Sequence, residues 1–278
     1  MTTIKLNNGV TMPLLGYGVF QITDLKLCEE SVLNALNSGY RLIDTAASYG
    51  NEEAVGAAIR KSGVPREEIF ISSKVWINDV GYEKTIADFE QTLEKLGTDY
   101  LDLYLIHMPY GDYYGAWRAM EELYHDGKIK AIGVCNFLED RLVDLIMNHS
   151  IVPAINQIEM HPFSQRKELR SVMNRYGIST MAWAPFAEGK NNIFNNEVLT
   201  KIGAKYHKSG AQVILKWLNQ NNIIAIPKSV HLERIQQNFD IADFQLSIED
   251  MVLIDNMDTG RPLILDVRDL YEVYRLNG

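Results

Sequence analysis

The chain has 278 residues, 46% of them hydrophobic and 23% charged, with a formal net charge of −9. That is ordinary globular composition, neither disordered nor membrane-like, and no apolar run approaches the roughly 20 residues that span a bilayer. The acidic balance and the lack of a basic run argue against nucleic acid as a partner, because phosphate binding needs a positive face.

The stretch Met1 to Gly9 lacks the apolar core of a signal peptide. Two cysteines, Cys28 and Cys135, give no disulfide framework, so a reduced, cytoplasmic protein is expected. Ile4 to Pro13 predicts a β-hairpin turning at Asn8-Gly9, placed to plug the amino-terminal end of a barrel. Candidate strands begin near Leu15, Arg41, Ile69, Leu101, Ile129, Ala154, Thr180 and Ile223. Amphipathic stretches lie between them. Leu25 to Ser38 has apolar residues at helical spacing, with Gly39 as the stop. Asn51 is placed to cap a helix that opens with Glu52 and Glu53, where negative charge suits the helix dipole. Thr85 to Leu96 stops at Gly97, and Gln165 to Tyr176 at Gly177. Ser209 with Gln212, and Ser247 with Asp250, read as capping boxes. Eight strands alternating with helices predict an α/β protein, either a closed (β/α)8 TIM barrel or a doubly wound sheet. No linker, low-complexity tract or repeat interrupts it, so one domain over 1–278 is expected.

Polar residues stand at the ends of three apolar runs. Asp44 closes Leu42-Ile43, Lys74 closes Ile69 to Ser73, and His107 closes Leu101 to Ile106, with Tyr49 shortly after Asp44. In a parallel α/β sheet the carboxyl ends of strands gather on the ligand-binding face, so these residues can meet in one pocket. A tyrosine has an ordinary pKa of about 10 and gives up its proton reluctantly. A nearby ammonium lowers that value, so Lys74 would tune Tyr49 while Asp44 holds Lys74 charged. His107 would hydrogen-bond a substrate oxygen within reach of Tyr49. The set suits protonation of a carbonyl oxygen. Taken singly, a strand-end Lys or Asp is usually solvated and a lone Tyr usually packs. The six histidines form no closely spaced ligand pair, so no metal site is expected. No Gly-x-Ser-x-Gly elbow occurs. His161, before Pro162, reads as structural, and Asp102 as facing the helix layer.

The blocks Gly39 to Glu52, Asp99 to His107, Gly133 to Phe137, Asn156 to Pro162 and Ile226 to Ser229 together resemble the aldo-keto reductase family, in family order and across nearly the whole chain. The nearest likeness is to its short bacterial members, such as 2,5-diketo-gluconate reductases. The resemblance implies a (β/α)8 barrel that binds NADPH across its carboxyl-terminal face and reduces small aldehydes, α-dicarbonyls or keto-sugars. It assigns a tetrad of Asp44, Tyr49, Lys74 and His107, with Tyr49 as proton donor. It implies cofactor contacts from Gly18, Val19 and Phe20, from Asp44 and Cys135, and from Asn136 and Gln157 to the nicotinamide carboxamide. Trp183 would stack on the nicotinamide, followed by Ala184, Pro185 and Phe186. Lys228, Ser229, Val230 and Arg234 match the stretch that holds the adenosine 2′-phosphate, and Gln237 and Asn238 the adenine contacts. Phe20, Trp76 and Tyr110, with Tyr49 and His107, would meet substrate, with Phe186 completing an aromatic, partly open pocket.

Three positions depart from the family's common pattern: Cys135 for serine, Met108 for tryptophan and Gln237 for glutamate. The thiol is a weaker donor, the pocket wall softer, and one adenine contact weaker. The chain after Asp258 is short, so the loop that shapes substrate choice in longer relatives is expected to be abbreviated. A small-molecule carbonyl substrate and a monomer are expected. The alternative is a non-catalytic barrel of the same kind, serving as a binding or structural protein.

Overall fold

A computed structural model describes residues 2–278 of the chain. It opens with an antiparallel hairpin, β1 (Thr3–Lys5) and β2 (Thr11–Pro13), that pairs Ile4 with Met12. Gly9 makes the turn at φ 89°, a conformation a side chain would strain. Parallel strands β3 (Tyr17–Gly18), β4 (Leu42–Asp44), β5 (Phe70–Val75), β6 (Leu103–Ile106), β7 (Ile132–Cys135), β8 (Ile155–Glu159), β9 (Ser179–Trp183) and β10 (Ile224–Ala225) pair in sequence order. The Gly16 N–H donates to Ala225 O and the Ala225 N–H to Leu14 O, while Leu15 bridges Ala225 in parallel. Those bonds join the last strand to the first. The sheet is therefore the (β/α)8 barrel and not the doubly wound alternative.

The two sides of each strand explain why these runs read as continuously apolar. Leu42, Phe70, Leu103, Leu105, Ile155, Met181 and Ile224 fill the barrel interior together with Leu6, Met12 and Leu14 of the amino-terminal segment. Ile43, Ile71, Tyr104, Ile106, Val134, Ile158 and Ala182 belong instead to the layer between strands and helices. The hairpin thus packs into the barrel's core as expected. The outer helices are α1 (Leu25–Asn37), α2 (Glu52–Ser62), α3 (Tyr82–Leu96), α4 (Tyr113–His125), α5 (Glu139–Met147), α6 (Lys167–Arg175), α7 (Glu197–Tyr206), α8 (Gly210–Gln220) and α9 (Leu232–Phe239). Two more, α10 (Ile248–Asp255) and α11 (Leu270–Asn277), follow. Among the described residues no helix is long and apolar enough to cross a membrane.

Local expectations mostly hold, with physical exceptions. Ser209 and Gln212 form both halves of a capping box. Ser247 accepts the Asp250 N–H, but no return bond forms, because Lys205 and Tyr206 occupy the Asp250 carboxylate. Asn51 does not cap α2 with its side chain. It is buried, donates to Val19 O and Ile22 O, and accepts from the Thr45 hydroxyl, so it ties the loop after β3 to the loop after β4. Helix α3 starts at Tyr82, before the expected Thr85, because Gly81 at φ 122° makes the sharp entry. Asp102 pairs with Arg66 and Lys130.

Met12 is fully buried in the interior cluster. Met12→Ala should cost about 2–5 kcal/mol of unfolding free energy in urea titration. A loss below about 1 kcal/mol would mean that the hairpin is not packed into the barrel.

Candidate active site

Asp44 ends β4, Lys74 is the penultimate residue of β5, and His107 follows β6 directly. Tyr49 closes the short turn Ala47–Tyr49 that leaves β4. Adjacent strands in register bring these carboxyl ends together: Asp44 lies beside Ser72, and Lys74 beside Leu105. The Lys74 ammonium donates to Asp44 Oδ2 at 2.7 Å and to Thr45 O at 2.7 Å, and its third direction reaches the Tyr49 hydroxyl at 3.4 Å. Three donors have three partners. Asp44 Oδ1 accepts from Ser72 Oγ at 2.5 Å and Gln157 Nε2 at 2.9 Å. Both carboxylate oxygens and all three ammonium protons of the buried pair thereby have partners. The Tyr49 and His107 rings meet edge-on with centroids 5.6 Å apart.

Burial pushes the Tyr49 phenol up to about 12, against the pull of the Lys74 charge. The sequence led us to expect a lowered phenol; Lys74 does act in that direction, but desolvation outweighs it. At neutral pH Tyr49 is thus fully protonated, an acid held ready. Burial also opposes the Lys74 charge, yet Asp44 and then Tyr49 hold the ammonium above its ordinary range. Burial and the Lys74 charge together hold the His107 imidazole well below its ordinary value, so it is neutral. Ser48 Oγ lies 3.4 Å from His107 Nδ1. A hydroxyl proton donated there leaves Nε2–H as the ring's own donor.

The four side chains stand by a cavity of about 690 Å³. Asp44, Tyr49 and His107 line it, together with Gly18, Phe20, Trp76, Asn136, Gln157, Trp183, Ala184, Pro185, Phe186 and Lys228. A Cβ on Gly18 would come within 3.2 Å of Ile226 O, so a side chain there would crowd the backbone after β10. Trp183 Nε1 donates to Asn136 Oδ1 at 2.9 Å, and Asn136 Nδ2 to His107 O at 3.2 Å. The indole is thereby locked to the strand ends beside the tetrad. Asn136 at φ 62° and Ala184 at φ 46° are left-handed, a strain that surrounding structure must impose, and one that clusters at working sites.

Not every expected residue reaches the cavity. Val19 and Cys135 are fully buried behind its wall, the Cys135 thiol 3.9 Å from Gln157 Oε1. Burial drives that thiol well above its ordinary pKa, so it is not nucleophilic. Ser229 and Val230 are half-buried in the β10–α9 connection, and on α9 Arg234 and Gln237 are exposed and Asn238 buried, all outside the cavity wall. Tyr17 Oη donates to Ser229 O at 2.5 Å and anchors that connection to β3. The Tyr110 hydroxyl donates to Val267 O at 2.8 Å, so it packs under the chain's last segment and does not line the cavity. Met108 lines it, as its place in the pocket wall implied, and Phe194, Ile226 and four residues of the final segment, Ile264, Leu265, Arg275 and Leu276, line it unanticipated. The short carboxyl-terminal stretch thus does reach the site. Its one sequence signal was the apolar triplet Leu263-Ile264-Leu265 after Pro262.

The chain and its fold also resemble known proteins. The sequence model described as "Aldo/keto reductase family" matches residues 15–259. The chain is 52% identical over 257 residues to a glyoxal reductase of Bacillus subtilis, covering 92% of each. It is 45% identical to a morphine 6-dehydrogenase of Pseudomonas putida, covering 96% of this chain and 95% of that one. Its structure resembles a Bombyx mori aldo-keto reductase solved in complex with NADP, with a TM-score of 0.90, 33% identity and 95% and 94% coverage.

The neutral, half-buried His107 has a consequence for stability. Its folded pKa is depressed, so below about 6.5 the unfolded chain takes up a proton that the folded chain refuses. The sign follows: its contribution is present above that pH and is lost as pH falls. Wild type should lose stability on acidification from pH about 7 to 5.5, and His107→Asn should lose less, by at most about 1.4 kcal/mol per pH unit. Equal losses, measured by urea unfolding at both pH values, would mean that the imidazole is charged in the fold.

Proposed function

Since the chain belongs to the aldo/keto reductase family, we propose that it is an NADPH-dependent reductase of aldehydes and ketones in which Tyr49 protonates the carbonyl oxygen. The observation that carries this reading is the Tyr49 hydroxyl 3.4 Å from a buried ammonium, at the wall of a cavity shared with His107. Substrate entering there leaves its oxygen between two donors, the phenol and His107 Nε2–H. As negative charge develops on that oxygen, the Lys74 ammonium stabilises the phenolate that Tyr49 becomes. That charge shift lowers the barrier more than it aids ground-state binding, as catalysis requires. Asp44 keeps Lys74 charged and aimed. Small aldehydes, α-dicarbonyls and keto-sugars are the proposed substrates, and the glyoxal reductase name of one relative favours the dicarbonyls.

The cleft suits a nicotinamide dinucleotide in the chemistry of its donors. Asn136 and Gln157 would hold the carboxamide, and the Trp183 face would lie against the nicotinamide ring. Gly18, Phe20 and Ala184 to Phe186 would wall it in. Lys228 and Arg234, with Ser229 and Val230, would hold the adenosine 2′-phosphate, and Gln237 and Asn238 the adenine. When bound, NADPH supplies the hydride. Among these residues Lys228 reaches the cavity with its charge exposed, as a phosphate ligand should be.

Tyr49→Phe should lower kcat for a simple aldehyde by about 10²–10⁴-fold while NADPH affinity holds. Retention of more than about a tenth of wild-type kcat would rule out Tyr49 as the acid. A non-catalytic barrel would instead show no NADPH oxidation even in the wild type. Neutralising Lys228 and Arg234 together should weaken NADPH by about 1.5–3 kcal/mol for each charged hydrogen bond removed and barely change NADH, read by fluorescence titration. Equal losses for both cofactors would mean that these cations support the site generally and do not read the phosphate.

A further inference from the structure

Glu159 ends β8, two residues past Gln157 and on the same inward side of the strand. Its carboxylate is fully buried and takes no part in the tetrad. It accepts the backbone N–H of Leu263 at 2.6 Å, of Ile264 at 3.2 Å and of Leu265 at 3.0 Å. His161 Nε2 lies 3.1 Å away and Arg166 Nη2 3.8 Å away. Three consecutive amides of a segment with no helix or strand of its own thus converge on one carboxylate. Buried amides must find acceptors, and here a side chain supplies what a sheet would otherwise supply. Burial works against the charge, but the bonds from His161, Leu263 and Leu265 prevail and hold the carboxyl below the usual carboxylate range. Other side-chain bonds to this stretch are the Thr259 hydroxyl to Phe163 O and the Tyr110 hydroxyl to Val267 O on either side, and the exposed Lys190 Nζ to Leu263 O at 3.3 Å.

The segment so held brings Ile264 and Leu265 to the cavity, which Leu276 of α11 also lines. We propose that Glu159 is a positioning residue for substrate choice: by clamping residues 263–265 it sets the apolar wall that carbonyl compounds larger than a few atoms must pack against. A two-carbon dicarbonyl needs only the tetrad and is indifferent to that wall. An aldehyde carrying an aryl ring or long alkyl chain meets Ile264 and Leu265 and depends on their being fixed. The inference rests on the carbonyl-reductase reading for its kinetic half; the clamp itself is testable without turnover.

Glu159→Gln keeps the shape, removes the charge and turns one acceptor into a donor. With NADPH, KM for an aryl or long-chain aldehyde should rise about tenfold or more, while kcat/KM for glyoxal and the NADPH Kd stay within about twofold. Glu159→Asp, which keeps the charge one methylene shorter, should fall between Glu159→Gln and wild type. Equal losses for both substrates, or none for either, would overturn the proposal. In the unaltered protein, hydrogen exchange at the amides of Leu263, Ile264 and Leu265 should be slowed about tenfold or more relative to free chain. That protection should vanish in Glu159→Gln while the barrel strands stay protected. Unprotected amides in an active wild type would overturn this proposal alone. No turnover of either aldehyde by wild type would overturn the reductase reading and with it the specificity role.

Discussion

The Lys74 side chain is 0% exposed and its ammonium lies 2.7 Å from Asp44 Oδ2, inside the carboxyl-terminal end of the barrel. Removing two charges from water costs several kcal/mol per ion, and mutual attraction alone does not reliably return it. The surroundings are built accordingly. Thr45 O takes a second ammonium proton, while Ser72 and Gln157 satisfy the far carboxylate oxygen. These partners come from β5, from β8 and from the residue after β4, so a charged pair near the axis requires strands well separated in sequence to converge. The remaining ammonium direction points at the Tyr49 hydroxyl. A phenol meets a cation there because the rest of the pair is already satisfied.

A closed barrel is what makes that convergence possible. Inward positions of its lower layers are filled by Leu42, Leu103, Leu105, Ile155 and the hairpin's Met12, all buried in one apolar cluster. The charged layer comes above this packed floor. Being walled by apolar groups, it lets burial raise the Tyr49 phenol and lower the His107 imidazole in the same small volume. Both shifts leave the side chain protonated as a donor: the phenol keeps its proton, and the neutral ring keeps one N–H. The function of the site is therefore prepared by desolvation as much as by the Lys74 charge.

Much of this was legible in the sequence because barrel strands announce themselves as short apolar runs whose ends carry polar and charged residues. Asp44, Lys74 and His107 stood out for that reason, and the turn at Asn8-Gly9 identified the hairpin. What stayed hidden depended on three-dimensional context. Asn51 has the chemistry of a cap, yet burial between two loops gives it three better partners. The sign of the Tyr49 shift follows from how completely the cavity floor excludes water, which no local pattern encodes. Tyr110 looked like an aromatic wall by its place after β6, but the returning chain end covers it. That chain end was itself the largest omission: residues 263–265 have no periodicity, and their order comes from a carboxylate more than a hundred positions earlier.

The account stands or falls on whether the buried ammonium acts through Tyr49. Turnover and cofactor binding measured side by side for Lys74→Met address this most directly, since NADPH titration reports on a folded cleft and kcat on the proton transfer. The account predicts that kcat falls by about 10²-fold or more while the NADPH Kd shifts by no more than a few-fold. A variant that binds NADPH normally and keeps near-wild-type kcat would contradict it.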